Sequence, residues 1–230
     1  RGLSPADLAM HVVLPEMDGR IMAGVTSFKE PGARDADLQF ARLAHRPQME
    51  RIAAIADRVA AWVRLGKTGA RARRPALVLS TYPGRDWNMA HAVGLDAVAS
   101  TQAILSDLGD AGYDVAPVAD LTGKLAARDV AWPLKKYRAA LEGLPESLRD
   151  ELDAAWGGPE DDPDAVDGAF RFAAIRNGGA WIALQPERGV PDTKDDDYHD
   201  LARVPRHAYV AFYLWLRQRA DAVVHIGAHG

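Results

Sequence analysis

The densest group of chemically capable side chains closes the sequence, in residues 221–230, Asp-Ala-Val-Val-His-Ile-Gly-Ala-His-Gly. Neutral imidazole binds borderline metals and accepts protons near neutral pH, so His225 and His229 can serve as transient ligands or bases. Gly227 and Gly230 let the backbone turn and approach a ligand closely. The pair is not the helical zinc motif, which needs a glutamate between two histidines on one helix face. A structural role for both histidines stays open. A second group, Tyr82-Pro-Gly-Arg-Asp86 with His91, offers a bidentate grip on a carboxylate through Arg85 and proton relay through Asp86 and His91. A turn in which Asp86 only caps local amides fits that stretch equally well.

Both groups gain meaning from the elements before them. Residues 75–80, Pro-Ala-Leu-Val-Leu-Ser, and 222–226 are short apolar runs that read as buried parallel strands. In an open α/β sheet, ligands bind in the crevice beyond the carboxyl ends of the strands. A helix over 96–108, with Asp96 at its positive end, follows the first strand, and 113–115 begins the next. Residues 170–175 and 180–184 read as a strand pair around Asn177-Gly178, and 206–219 as the final helix. Residues 121–165 form a helical insertion broken by Pro133, Pro145 and Gly157-Gly-Pro159.

Ahead of this domain, 1–74 reads as a separate α/β segment. Ser4 and Pro5 open a short helical turn, 10–14 and 25–28 are candidate strands, and 32–37 is a polar loop. Met49, Ile52, Ile55, Val59, Trp62 and Val63 recur at helical spacing and define a long amphipathic helix over 47–65. The boundary falls in the glycine- and arginine-rich stretch 66–74, which leaves 75–230 as the second domain. The fold class expected is α/β: an open, mainly parallel sheet with flanking helices, as a piece of a larger multidomain protein.

Composition excludes several classes. The 230 residues carry a net charge of −4, 48% hydrophobic residues and no cysteine. Disulfides, thiolate sites and cysteine nucleophiles are ruled out, and the usage fits a reducing cytoplasm. No basic excess suggests nucleic acid, and no apolar run is long enough for membrane insertion. Gly66-Lys-Thr-Gly69 lacks the glycine five residues before its glycine-lysine pair that a phosphate loop requires, since Ala61 stands there. Asp161-Asp-Pro-Asp164 and Asp195-Asp-Asp197 lack calcium-loop spacing and read as solvated loops, and Arg71, Arg73 and Arg74 as a polar linker.

Residues 76–86, Ala-Leu-Val-Leu-Ser-Thr-Tyr-Pro-Gly-Arg-Asp, followed by Val93-Gly-Leu-Asp96, resemble the strand-loop-helix segment of the CobN/magnesium chelatase H subunit family. A second block adds Phe170-Arg-Phe172, Gln185-Pro186, Arg188-Gly189, Tyr198-His-Asp200, His207, Tyr209, Tyr213, Trp215 and Val224-His-Ile-Gly227 in the family's order. The Tyr-Pro-Gly-Arg-Asp form resembles the cobalt branch. Two departures stand out: Trp87-Asn-Met-Ala-His91 is bulkier than the family's usual run, and Ala228 replaces a lysine or threonine. The family's motif continues beyond Gly230 to a glutamate.

The resemblance implies a tetrapyrrole-binding chelatase subunit. Its parent would insert Co2+, the substrate metal, into a corrin precursor, hydrogenobyrinic acid a,c-diamide, during cobalamin biosynthesis. ATP and Mg2+ would be used by separate AAA+ ATPase and adaptor subunits, CobS- and CobT-like. It also implies roles: His225 and His229 as catalytic bases and transient metal ligands, and Tyr82, Arg85, Asp86, His91, Arg188, Tyr198, His199 and His207 as substrate-binding residues. Three alternatives remain: insertion of Mg2+ into protoporphyrin, a non-catalytic scaffold docking the ATPase subunits, and an unrelated α/β metallohydrolase.

Overall fold

A computed structural model describes residues 4–80, 91–92, 95–189 and 203–227. The chain divides into two compact units, Arg1–Lys67 and Thr68–Gly230.

The first unit begins with α1 (Pro5–Leu8), capped by Ser4, whose hydroxyl accepts the Asp7 N–H while the Asp7 carboxylate accepts from the Ser4 N–H. A π turn (Ala9–Val13) and α2 (Leu14–Met17) continue it. The strand expected at 10–14 is therefore helical. Its apolar residues have no pairing partner, and helix is the one conformation that satisfies backbone groups locally. A hairpin follows, β1 (Ser27–Asp35) and β2 (Phe40–Pro47), with Ser27 opposite Pro47. The expected polar loop at 32–37 is thus largely strand, turning only at 36–39. The amphipathic helix appears as α3 (Met49–Lys67).

The second unit is built around β3 (Pro75–Leu79), buried along its whole length. Next come the two-residue strands β4 (His91–Ala92) and β5 (Leu95–Asp96), then α4 (Ala97–Asp110), capped by the Asp96 carboxylate accepting from the Ala99 N–H at 2.8 Å. The strand expected at 113–115 is absent. Those residues are irregular and serve as a backbone support: the Asp114 carbonyl accepts the Gly179 N–H at 2.8 Å. The insertion holds α5 (Leu121–Ala126), β6 (Val130–Pro133), α6 (Leu134–Leu141) and α7 (Glu146–Trp156). It is therefore less purely helical than expected, because β6 pairs with β8 (Ala169–Phe172), which also pairs with β7 (Ala165–Val166). Phe170 and Phe172 consequently belong to this smaller sheet.

The hairpin of β9 (Ala174–Asn177) and β10 (Ala180–Leu184) turns at Gly178, where φ is +56° and a Cβ would meet the Asp114 carbonyl oxygen at 2.0 Å. Helix α8 (His207–Arg217) and β11 (Ala222–Ile226) complete the unit. The main sheet runs β11-β3-β10-β9, with β11, β3 and β10 parallel and β9 antiparallel at one edge. This is the α/β, mainly parallel arrangement read from the sequence. Alternation along β3 divides the core: Leu77 and Leu79 pack with Leu105, Leu121 and Leu125 on the α4 side, while Ala76 and Val78 pack with Phe212 and Trp215 on the α8 side. The final strand is not buried as expected: Val223, Val224 and His225 are exposed on β11, which is an edge strand among the described residues.

Candidate functional site at the strand ends

The parallel strands finish abreast. Leu79 of β3 lies opposite both Ile226 of β11 and Leu184 of β10. The Ser80 N–H donates to the Ile226 carbonyl at 3.0 Å, and the Gln185 N–H to the Leu79 carbonyl at 2.9 Å. The pairing thus carries on one residue past β3 and β10, and the backbone leaves all three strands along one edge. At Gly227 an added Cβ would lie 2.5 Å from the Ser80 hydroxyl oxygen, so the exits of β11 and β3 run close together. A side chain at Gly227 would force the Ser80 side chain to shift.

His225 stands one residue before the end of β11, level with Val78, and so on the α8 side. Its ring stacks on Tyr213 of α8, with centroids 6.0 Å apart and planes 27° from parallel. Tyr209, one helical turn earlier, sits 5.0 Å from Tyr213, and its hydroxyl accepts from the Gln185 amide at 3.3 Å. Partial burial lowers the His225 pKa below the ordinary 6.5, since desolvation disfavours imidazolium. The ring is therefore neutral at neutral pH, the form that binds a metal or takes a proton.

Arg188 follows β10 in the same region. Its guanidinium donates to the Arg203 carbonyl at 2.7 Å, and its own carbonyl accepts the Arg206 N–H at 3.0 Å. His207 has a different fate from the pocket-lining position expected. It is fully buried, its Nδ1 pairs with the Tyr137 hydroxyl at 2.8 Å, and its Nε2 pairs with the Gly157 carbonyl at 2.9 Å. With both ring nitrogens engaged inside the core, it is a packing residue. Burial and nearby Asp162 and Asp153 also push the Tyr137 pKa well above its ordinary value.

His91 pairs through its backbone with Asp96, its side chain lying outside the described residues. Tyr82, Arg85, Asp86, Tyr198, His199, His229 and Asp195-Asp-Asp197 also lie outside them. Among the described residues, no three histidines or carboxylates gather as a metal site.

The sequence reading missed a buried ionic knot. Arg206 Nη1 donates to Asp162 Oδ1 at 3.0 Å, and Nη2 donates to Asp164, which also pairs with Arg128. Arg206 Nε reaches the Glu187 carbonyl at 3.0 Å, and Asp162 Oδ2 accepts the Ala208 N–H at 2.9 Å, capping α8 from a distance. Asp162 and Asp164 are therefore not a solvated loop. One signal was available: Arg206 sits at the N-cap of α8, where the helix dipole repels a cation unless an acid accompanies it. Arg74 is also more than linker, since it forms an ion pair with Asp221 at 2.6 Å.

The class these observations define is an α/β unit opening onto a loop-bearing strand edge. Residues 1–230 match the family described as CobN/Magnesium Chelatase, and the chain belongs to that family. The aerobic cobaltochelatase subunit CobN of Sinorhizobium sp. is 36% identical over 247 residues, a match covering 100% of this chain and 19% of that protein. The subunit of the same name from Pseudomonas aeruginosa is 37% identical, covering 100% and 20%. A magnesium-chelatase H subunit from Chlorobaculum parvum is 26% identical, covering 100% and 18%. Among solved structures, the catalytic subunit of cobaltochelatase from Mycobacterium tuberculosis superposes with a TM-score of 0.78 at 32% identity, covering 100% of this chain and 20% of that one. The chain thus spans about a fifth of the length of these relatives.

Proposed function

We propose that this chain forms one wall of the tetrapyrrole site in a cobaltochelatase subunit, and that its parent inserts Co2+ into a corrin-precursor ring, hydrogenobyrinic acid a,c-diamide, in the cytoplasm. The observation that carries the reading is the shared edge: three parallel strands end abreast, with a neutral-leaning His225 at that edge. Similarity at 36% and 37% to two CobN subunits, against 26% to a magnesium-chelatase H subunit, favours cobalt over magnesium.

Insertion requires that two pyrrole protons leave the ring and that the incoming cation exchange water for ring nitrogens. A neutral imidazole suits both tasks, as a general base and as a nitrogen ligand for Co2+. His225 would act at the strand edge, with His229 on the residues following it. Arg188, Tyr82, Arg85, Asp86, His91, Tyr198 and His199 would hold the ring's periphery, arginines pairing with its carboxylates. ATP hydrolysis, with Mg2+, would belong to CobS- and CobT-like partner subunits.

The test is His225→Ala and His229→Ala in the full-length protein assayed with its partners, supplying Co2+ and Mg2+ separately. We expect cobalt insertion to fall by about 100-fold or more with ring affinity nearly kept, the usual scale for losing a general base. Insertion unchanged in both variants would reject the catalytic assignment and leave this edge a scaffold. Magnesium inserted in preference to cobalt would move the protein to the other branch.

A further inference from the structure

A histidine that binds a metal or takes a proton is usually oriented by a hydrogen bond at its other ring nitrogen, to a carboxylate or a carbonyl. Among the described residues, neither nitrogen of His225 has such a partner. Both nitrogens of His207, by contrast, are bonded, to Tyr137 and Gly157. What holds His225 is a ring face. Tyr213 lies against it with planes 27° from parallel and centroids 6.0 Å apart.

Tyr213 can hold a neighbour because it is itself held. Its ring meets Phe212 edge-on at 5.3 Å and Tyr209 at 5.0 Å. Phe212 is fully buried and packs against Phe172 and Trp215 in the core. Tyr209 stands four residues before Tyr213, on the same face of α8, and its hydroxyl accepts from Gln185, the first residue after β10. A line of side chains therefore runs from the exit of β10, along α8, to the end of β11. Both imidazole nitrogens lie in the ring plane, so a neighbour on the face fixes that plane without obstructing either nitrogen.

We propose that Tyr213 is the positioning residue of His225: its ring sets the plane of the imidazole, so that a nitrogen rather than a face meets the cation or the pyrrole proton. This inference rests on the reading of His225 as base or ligand given above. Tyr213 acts through His225. A misaligned base slows the chemical step while the bound ring keeps its other contacts, so the effect belongs in kcat and not in affinity.

The experiment uses the full-length parent protein with its partners and measures cobalt insertion and, by absorbance titration, ring affinity. Tyr213→Leu keeps apolar bulk and removes the flat face, while Tyr213→Phe keeps the face. We expect Tyr213→Leu to lower kcat by about 10-fold with ring affinity within about twofold, and Tyr213→Phe to stay within about twofold of the wild type. In a His225→Ala background, Tyr213→Leu should cost no more than about twofold, because its effect passes through the imidazole. An undiminished further loss in that background, equal losses in Tyr213→Phe and Tyr213→Leu, or full activity of Tyr213→Leu would overturn the proposal and leave His225 catalytic. Insertion unaffected by His225→Ala would instead remove the catalytic reading, and this inference with it. Tyr213→Met takes the place of Tyr213→Leu if that variant loses ring binding. Loss of ring binding in both would show a structural role and overturn the proposal.

Discussion

On the two sides of α8 the second unit uses similar polar side chains for opposite ends. At the helix start, Arg206, His207 and Asp162 are buried, and each reaches partners inside the protein. At the strand edge, His225 is exposed, with one ring face resting on Tyr213. Buried polar groups are tolerated only when bonded, so the first region is committed to holding the insertion against α8. An imidazole with a neighbour on one face and solvent within reach stays available for chemistry. The family resemblance includes both His207 and His225; burial separates their surroundings.

Substitutions can break that contrast, beginning with the knot. Arg206→Met strands Asp162 without its cation, and urea unfolding should show a loss of about 3–5 kcal/mol, the usual cost of breaking a buried ion pair. Adding Asp162→Asn should return part of it. Tyr137→Phe removes the partner of His207 Nδ1 and should cost about 1–3 kcal/mol, read by the same measurement. Arg74→Ala breaks a half-exposed pair, so about 1 kcal/mol or less should go. His225→Ala should change stability by about 0.5 kcal/mol or less, since surface substitutions seldom do more. A large loss there would show that the edge histidine is structural after all.

The smallest effect sharpens the contrast through pH. The folded His225 has a pKa below the ordinary 6.5 because burial disfavours its charged form. As pH falls beneath the unfolded value, the unfolded chain takes up a proton that the folded one refuses. The contribution of this group to stability is therefore full above the unfolded pKa and is lost as pH drops through the folded one. Unfolding curves for the wild type and His225→Ala should converge as the pH is lowered from about 7 to about 5.5.

What the sequence made legible follows the range of the interactions. Local signals located α3 by its stripe, α4 by the Asp96 cap, and the β9–β10 turn by Asn177-Gly178. The runs at 75–80 and 222–226 were visible as strands, and their shared edge followed from parallel pairing. Distant pairing decided what was missed. β6 forms only because β8 lies beside it, and β2 only because β1 returns to it. Residues 113–115 have the composition of a strand but lie where the Gly178 turn needs a carbonyl. Asp162 looks like any solvent-facing acid until Arg206, far along the chain, arrives beside it.

The Arg74–Asp221 clamp lies at the opposite end of the sheet from His225, where β3 and β11 begin. Arg74 N–H donates to the Asp221 carboxylate at 3.0 Å and the Asp221 N–H returns a bond to the Arg74 carbonyl at 2.8 Å, fixing which residues of the two strands meet. Sliding β11 by a single residue would turn its side chains over and carry the imidazole to the α4 side, away from Tyr213. The Arg74–Asp221 pair thus works from the far end of the strand, together with the pairing of β3 with β11, to keep the histidine on the side of Tyr213.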